Sequence, residues 1–228
     1  MNFHIITIFP DMFTSYLGES ILARAIAGKK ISVKFYNPRD FVKDTKGNNY
    51  RPVDDRPYGG GPGMIMRAEP IIKTIEQVLK KVKDKKKTKI IHFAPSAKKF
   101  ETTYAKNLVK KKYADIIFIC GRYEGIDARV KKIFKGDEIS VGDYVLTGGE
   151  LPAMIMIDCI SRQIPGVLGK FESLEEERVS SSEVYTRPEI LKYPFDSAQG
   201  KKPKNYKVPK VLLSGNHAEI DKWKESKK

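Results

Sequence analysis

Cysteine, histidine and tryptophan are scarce in this chain of 228 residues, which holds two, three and one of them. Cys120 and Cys159 both sit inside apolar runs (IIFICG and IMIDCIS), so buried free thiols are expected and a disulfide framework is not. His4, His92 and His217 lie far apart, with no H-E-x-x-H and no paired C-x-x-C, which leaves no protein metal site to expect. His92 falls in a strand pattern and is expected to be packed rather than catalytic. Also missing are a G-K-[ST] after the glycines, a G-x-G-x-x-G fingerprint and a G-x-S-x-G elbow. The common ATPase, dehydrogenase and hydrolase readings lose their supports with them. No run of eighteen apolar residues occurs, and MNFHIITIFP lacks the basic start and long apolar stretch of a signal peptide. No membrane partner is expected, and the location expected is cytoplasmic. Acidic residues are the last shortage: 28 against 43 Lys and Arg, a formal charge of +15. Such an excess suits a polyanionic partner, because each neutralised phosphate releases a counterion.

What is present alternates. FHIITIF at 3–9 and ISVKFY at 31–36 are β-branched and aromatic runs that predict strands. SILARAIAG at 20–28 spaces its apolar residues for a helix ending on Gly28. Residues 37–63, rich in Pro, Gly and charge, read as a long loop, a length that is usually functional or disordered. A helix is predicted from Pro70 to about Val82, a strand over 89–94, a helix over 98–111 and a buried strand over 115–120. A further helix is expected near Glu124, a short strand over 138–141 and a long apolar helix over 150–163. Strands alternating with helices argue for an α/β domain with a largely parallel sheet. Residues 169–184 (including KFESLEEERVSSSEV) read as a flexible linker. The tail at 185–228 reads as a small, separate domain whose last helix Asn216 could cap. The lysines of 80–89 read as a solvated helix end and turn.

Three segments stand out by their glycines: VDDRPYGGGPGM at 53–64, ICGRYEGIDARV at 119–130 and ISVGDYVLTGGELPAM at 139–154. Glycine admits positive φ and close backbone approach, as a loop wrapping a flat or anionic ligand needs. Two of these segments follow strands, and HFAPSA follows a third, so all could line one crevice at the carboxyl ends of a sheet. Spacing alone leaves this open against plain strand-to-helix turns.

The segments DDRPYGGGPGM, CGRYEGID, SVGDYVLTGGELPAM, IPGVLG, YTRPE and VPKVLLSGNH, with IFPDMF and NPRDF before them, closely resemble the TrmD family of tRNA (guanine-N1)-methyltransferases. They occur in the same order and span nearly the whole chain. The resemblance implies a SPOUT-class fold: a parallel sheet with a trefoil knot at the C-terminal side of residues 1–168, then a small, mainly helical C-terminal domain. It implies S-adenosyl-L-methionine as methyl donor, a magnesium (Mg2+) dependence, a homodimer with the active site at its interface, and the tRNA anticodon stem-loop as substrate. The methylated atom would be N1 of the guanine at tRNA position 37 when a guanine precedes it.

Carried over by position, the resemblance assigns the cofactor pocket to Phe93, Ala94 and Pro95, to Gly121, Tyr123 and Glu124, to Ser140, Val141, Gly142, Asp143, Tyr144, Val145 and Leu146, and to Gly148, Gly149 and Pro152. Asp54, Asp55, Arg56, Tyr58 and Gly59 are assigned to the substrate, and Arg162 to guanine O6. The family's base is an aspartate in the linker. Glu177 takes its place here, with Glu175, Glu176 or Glu183 as substitutes, and a merely solvated acidic linker is the alternative. Residues 190–207 are longer than the usual link between YTRPE and VP, and the sequence stops after DKWKESKK, where the resemblance implies additional C-terminal helices in many relatives.

Overall fold

The computed structural model describes residues 1–45, 47–48, 50–169, 179, 181–195 and 204–227. The chain divides into two compact units, Met1–Gly169 and Lys170–Lys228.

The first unit runs β1 (Asn2–Ile6), α1 (Thr14–Leu17), α2 (Ser20–Ala27), β2 (Ser32–Tyr36), β3 (Asp54–Asp55), β4 (Ile65–Met66), α3 (Ala68–Lys81), β5 (Thr88–Lys99), α4 (Thr102–Lys110), β6 (Asp115–Ile119), α5 (Arg129–Ile133), β7 (Asp137–Ser140) and α6 (Glu150–Ser161). Five of its strands form one sheet in the order β2-β1-β6-β5-β7, and every neighbouring pair is parallel. β3 and β4 pair separately as a short antiparallel hairpin.

The central strand shows why the sheet forms. DIIFI of β6 is buried throughout, and after Asp115 it is the continuous apolar run expected of a parallel strand covered on both faces. Because side chains alternate, Ile116 and Phe118 join the core formed with α2 and α6, where Phe3, Leu22, Met156 and Ile160 pack. Ile117 and Ile119 join the other core, against Ile71, Ile75 and Val78 of α3. Each such side chain contributes about 1.5–3 kcal/mol by leaving water. His4 is satisfied within this frame, its Nε2 2.9 Å from Asp115 and its Nδ1 3.1 Å from the Tyr36 hydroxyl. His92 is also packed, against the Phe134 carbonyl at 3.0 Å.

Two expectations need correction. Residues 98–101 are not helical: β5 runs on to Lys99, its pairing with Ile139 jumping from Phe93 to Lys98. Pro95 sits in that irregular stretch, where its missing amide costs no ladder bond. The helix expected near Glu124 begins only at Arg129. Residues before it spend their backbone groups elsewhere, Glu124 N on Met64 O and Asp127 N on Met66 O.

In the second unit, the described residues form an antiparallel pair, β8 (Ile190–Tyr193) with β9 (Lys204–Lys207), then α7 (Lys210–Leu213) and α8 (His217–Glu225). The longer stretch at 190–207 therefore carries a strand at each end, which its Lys, Pro and Gly content concealed. Asn216 caps α8 by accepting from Glu219 N at 3.4 Å. Among the described residues no helix is long and apolar enough to cross a membrane.

Candidate active site

A cavity of about 250 Å³ opens at the carboxyl ends of β5, β6 and β7. Phe93, Ala94 and Pro95 supply one wall from β5, and Gly121, Tyr123 and Glu124 supply the exit of β6. Ser140 and Val141 come from the end of β7; Tyr144, Val145, Leu146, Gly148, Gly149 and Pro152 follow through the loop and into α6. Gly142 and Asp143 do not line it. A Cβ on Gly142 would stand 2.3 Å from the Tyr144 ring, so this glycine seats a cavity-lining aromatic. Asp143 points to Lys99 in an exposed ion pair.

The glycines answer to close approach. Gly149 N donates to Gly121 O at 2.9 Å, which ties the β6 exit to the start of α6. A Cβ on Gly149 would lie 2.7 Å from Cys120 Cα and 3.1 Å from Gly121 N, both fixed backbone atoms. Main chain of the two segments thus meets at the cavity wall.

Arg122, Gly125, Ile139 and Thr147 also line the cavity, and Arg122 is the most informative of these four. Its Nε lies 2.9 Å from Oε2 of Glu150, a carboxylate only 1 % exposed. Glu150 Oε1 accepts from the Thr7 hydroxyl at 2.7 Å. The guanidinium also stacks on Phe9, 4.8 Å from the ring centre. A buried charge pair of this kind is costly to break by removing one partner, so it fixes the cavity wall in one arrangement. Arg122 was legible as the third letter of CGRYEGID, but its partner stands 28 residues on and at the first position of a helix.

The loop between β3 and β4 carries DDRPYGGGPGM. Gly59, Gly60, Gly61 and Gly63 all have positive φ, from 80° to 106°, where side-chain-bearing residues are strained. The loop is joined to the β6 exit through Met66 N to Gly125 O at 2.9 Å and through Glu124, whose Cγ would lie 2.7 Å from a Cβ on Gly63. Of the substrate candidates, Asp55, Arg56 and Tyr58 border a wider groove of about 1060 Å³ between this loop, α3 and residues 126–133. Gly59 sits exposed near the loop tip. Asp54 lies near enough to Tyr123 to act on it: burial first, then the Asp54 charge, pushes the phenol pKa upward. Tyr123 therefore stays protonated at neutral pH, able to donate from the cavity rim.

Arg162 lies elsewhere. It caps the carboxyl end of α6 and borders a small recess with Ile21, Leu22, Asp158 and Leu168. Pro152, near the other end of the same helix, lines the cavity. Ten residues of helix separate them, roughly 15 Å at 1.5 Å per residue. Arg162 Nε is buried without a hydrogen-bond partner among the described residues. Glu177, Glu175 and Glu176 lie outside the described residues. Glu183 is described, and there the Lys227 ammonium and then the Tyr185 hydroxyl hold its carboxyl below its ordinary pKa.

Comparison with known proteins places this arrangement. The profile of the family described as tRNA (Guanine-1)-methyltransferase TrmD matches residues 1–228. A relative from Clostridioides difficile strain 630, named tRNA (guanine-N(1)-)-methyltransferase, is 45% identical over 227 residues, covering 98% of this chain and 90% of its own. One of the same name from Buchnera aphidicola is 45% identical over 226 residues, covering 97% and 87%. Another from Carboxydothermus hydrogenoformans is 42% identical over 228 residues, covering 99% and 81%. With whole-length agreement of this order, the chain belongs to the TrmD family of tRNA (guanine-1)-methyltransferases.

Proposed function

We infer that this protein methylates N1 of guanine in tRNA with S-adenosyl-L-methionine as donor, and that its target is the guanine at position 37 beside the anticodon. The observation that carries the reading is the main-chain cavity at the carboxyl ends of β5, β6 and β7, walled by Gly121, Gly148 and Gly149.

The cavity fits that cofactor. A flat adenine needs an apolar slot with backbone amides and carbonyls at its edge. Phe93, Leu146 and Pro152 offer the first, and the glycine segments offer the second. The carboxylate of Glu124 on the rim suits a ligand carrying a cationic sulfonium and an ammonium. When bound, S-adenosylmethionine supplies a methyl group activated by that sulfonium. For magnesium the fit is different. The described residues gather no group of three or more His, Cys, Asp or Glu able to hold a metal ion, so they offer no ready-made cage.

The remaining chemistry falls to side chains. Guanine N1 carries a proton that must leave as the nitrogen attacks, and Glu177 is assigned that proton. Arg162 is assigned the charge growing on O6, where a guanidinium is worth most out of water. Tyr58 and Arg56, which border the wider groove, and the positive-φ glycines beside them are assigned the anticodon loop. Because Arg162 and the cavity stand at opposite ends of α6, one chain alone does not unite them. A homodimer solves this, each chain's cavity completed by Arg162 from the other chain.

The same reading divides the chain into a knotted, cofactor-binding SPOUT domain over 1–168, a linker over 169–184 and a tRNA-gripping C-terminal domain over 185–228. Most of that linker lies outside the described residues.

Transfer of labelled methyl from S-adenosylmethionine to unmodified tRNA carrying guanine at 36 and 37 tests this reading. Incorporation supports it. Cofactor binding without incorporation would reduce the chain to a cofactor-binding protein that has lost its base.

A further inference from the structure

We propose that the edge of the sheet opposite the cofactor cavity is a second RNA-binding face, which takes the phosphate backbone of an RNA other than the tRNA being methylated.

The sheet topology creates this face. In an all-parallel sheet, every loop that enters a strand lies at one edge and every loop that leaves lies at the other. The cavity uses the exits of β5, β6 and β7. The entries of four strands start in one row, since Thr88 pairs with Asp115, Asp115 with Asn2, and Asn2 with Ser32. Neighbouring strands are about 4.8 Å apart, so the row is compact.

Lysine is concentrated in those entries. Lys29 and Lys30 precede β2, Lys110, Lys111 and Lys112 precede β6, and Lys83, Lys85, Lys86 and Lys87 precede β5. All are exposed. In sequence these are three separate clusters. The fold joins them through main-chain bonds, with Met1 N to Lys30 O at 3.1 Å, Asn2 N to Ala114 O at 2.8 Å and Ala114 N to Lys87 O at 2.8 Å. Lys87 Nζ further donates to Lys111 O at 3.1 Å.

Acid does not balance this charge. Asp115 is buried against His4 and Asn2. Asp84 is the one exposed carboxylate within these entry loops, and it caps the turn by accepting from Lys86 N. Among the described residues, none of these lysines is in an ion pair. Ammonium groups packed at such density repel one another, and counterions or phosphates relieve that repulsion.

Geometry separates this face from the methylation substrate. A five-residue strand spans roughly 17 Å, so the two edges stand at least that far apart. With the loop of an RNA stem in the cavity, contact with the entry-loop lysines would require that RNA to run the full length of the strands. The aromatic side chain in these entry loops, Tyr113, is half-buried against the core and lies under the Lys89 ammonium, which favours backbone contact over base stacking.

The test uses the full-length protein and a fluorescently labelled oligouridylate, which contains no guanine to methylate. Anisotropy is followed from 50 to 200 mM salt for the wild type and for the combined variant Lys83→Gln, Lys85→Gln, Lys86→Gln, Lys110→Gln. The face predicts at least tenfold weaker binding by the variant at low salt, and a log K against log salt slope shallower by about two to three. It also predicts unchanged kcat/KM for tRNA methylation, and no displacement of oligouridylate by an excess of anticodon stem-loop. Equal binding by wild type and variant would overturn the proposal. So would displacement by the stem-loop, or a parallel loss of methylation, either of which would make these lysines part of the substrate's own site.

Discussion

Replacing Gly149 by alanine places one carbon where the site has no room. The added Cβ would lie 2.7 Å from Cys120 Cα, and ordinary contact begins near 3.4 Å, so backbone must part by about 0.7 Å. Neither neighbour is the end of a flexible side chain. Taken along the Gly149 N to Gly121 O bond, now 2.9 Å, that separation gives about 3.6 Å and the bond is lost. Overpacking of this kind costs about 1–3 kcal/mol. Because the strain falls between two walls of the cavity, most of it is expected as lost affinity, from roughly fivefold to over a hundredfold. Isothermal titration with S-adenosylmethionine measures the loss, and thermal unfolding separates it from global destabilisation. Gly169→Ala is the control: a Cβ there meets nothing within 4 Å, and both its stability and its affinity should stay within about 0.5 kcal/mol of wild type. A Gly149→Ala protein that binds S-adenosylmethionine within twofold of wild type would refute the reasoning, since the cavity wall would then tolerate the shift.

Other expectations follow from the proposed function and from the structure. Glu177→Gln should lower turnover by a hundredfold or more, the range of general acid–base catalysis, and leave cofactor affinity unchanged; unaltered turnover removes Glu177 as the base. If the chain pairs as proposed, mixing an Arg162→Ala chain with a Gly149→Phe chain, each inactive alone, should restore about a quarter of wild-type activity, because half of such dimers would be mixed and each would hold one intact site. No recovery on mixing would mean that Arg162 serves its own chain or none. For His92, burial lowers the imidazole pKa below its ordinary 6.5. The unfolded chain therefore binds more protons just below that pH, and the stability His92 contributes is present above 6.5 and lost as pH falls through the folded value. Melting temperature should fall from pH 7 toward pH 5, and His92→Gln should flatten that slope; an equal slope in both proteins would contradict the assignment.

How much was legible depended on the range of each signal. The strand at 115–119 was plain because the apolar run Ile116 to Ile119 has one comfortable place, the middle of a parallel sheet. The cap at Asn216 was plain because it needs nothing beyond its own turn. The course of β5 past Pro95 was hidden, since its irregular pairing with β7 is decided by residues 41 to 46 positions away. Likewise Arg122 and Glu150 carry no local mark of their partnership, which exists only once β6 and α6 meet. The glycine segments lay between these cases. Their content suggested a ligand, and spacing could not exclude plain turns. The fold puts Gly121 and Gly149 within one hydrogen bond of each other, which no single turn would require. The basic row before β2, β5 and β6 was invisible for the same reason, because its lysines become neighbours only through strand order.

The central claim is methyl transfer to one atom of one nucleotide, and mapping the product tests it most directly. After reaction with S-adenosylmethionine, a tRNA with guanines at 36 and 37 is digested and its fragments are sequenced by mass, beside a control with adenine at 37. The account predicts 1-methylguanosine at position 37 of the first tRNA and no methyl group in the second. Methylation at another nucleotide, or at a guanine atom other than N1, would contradict it.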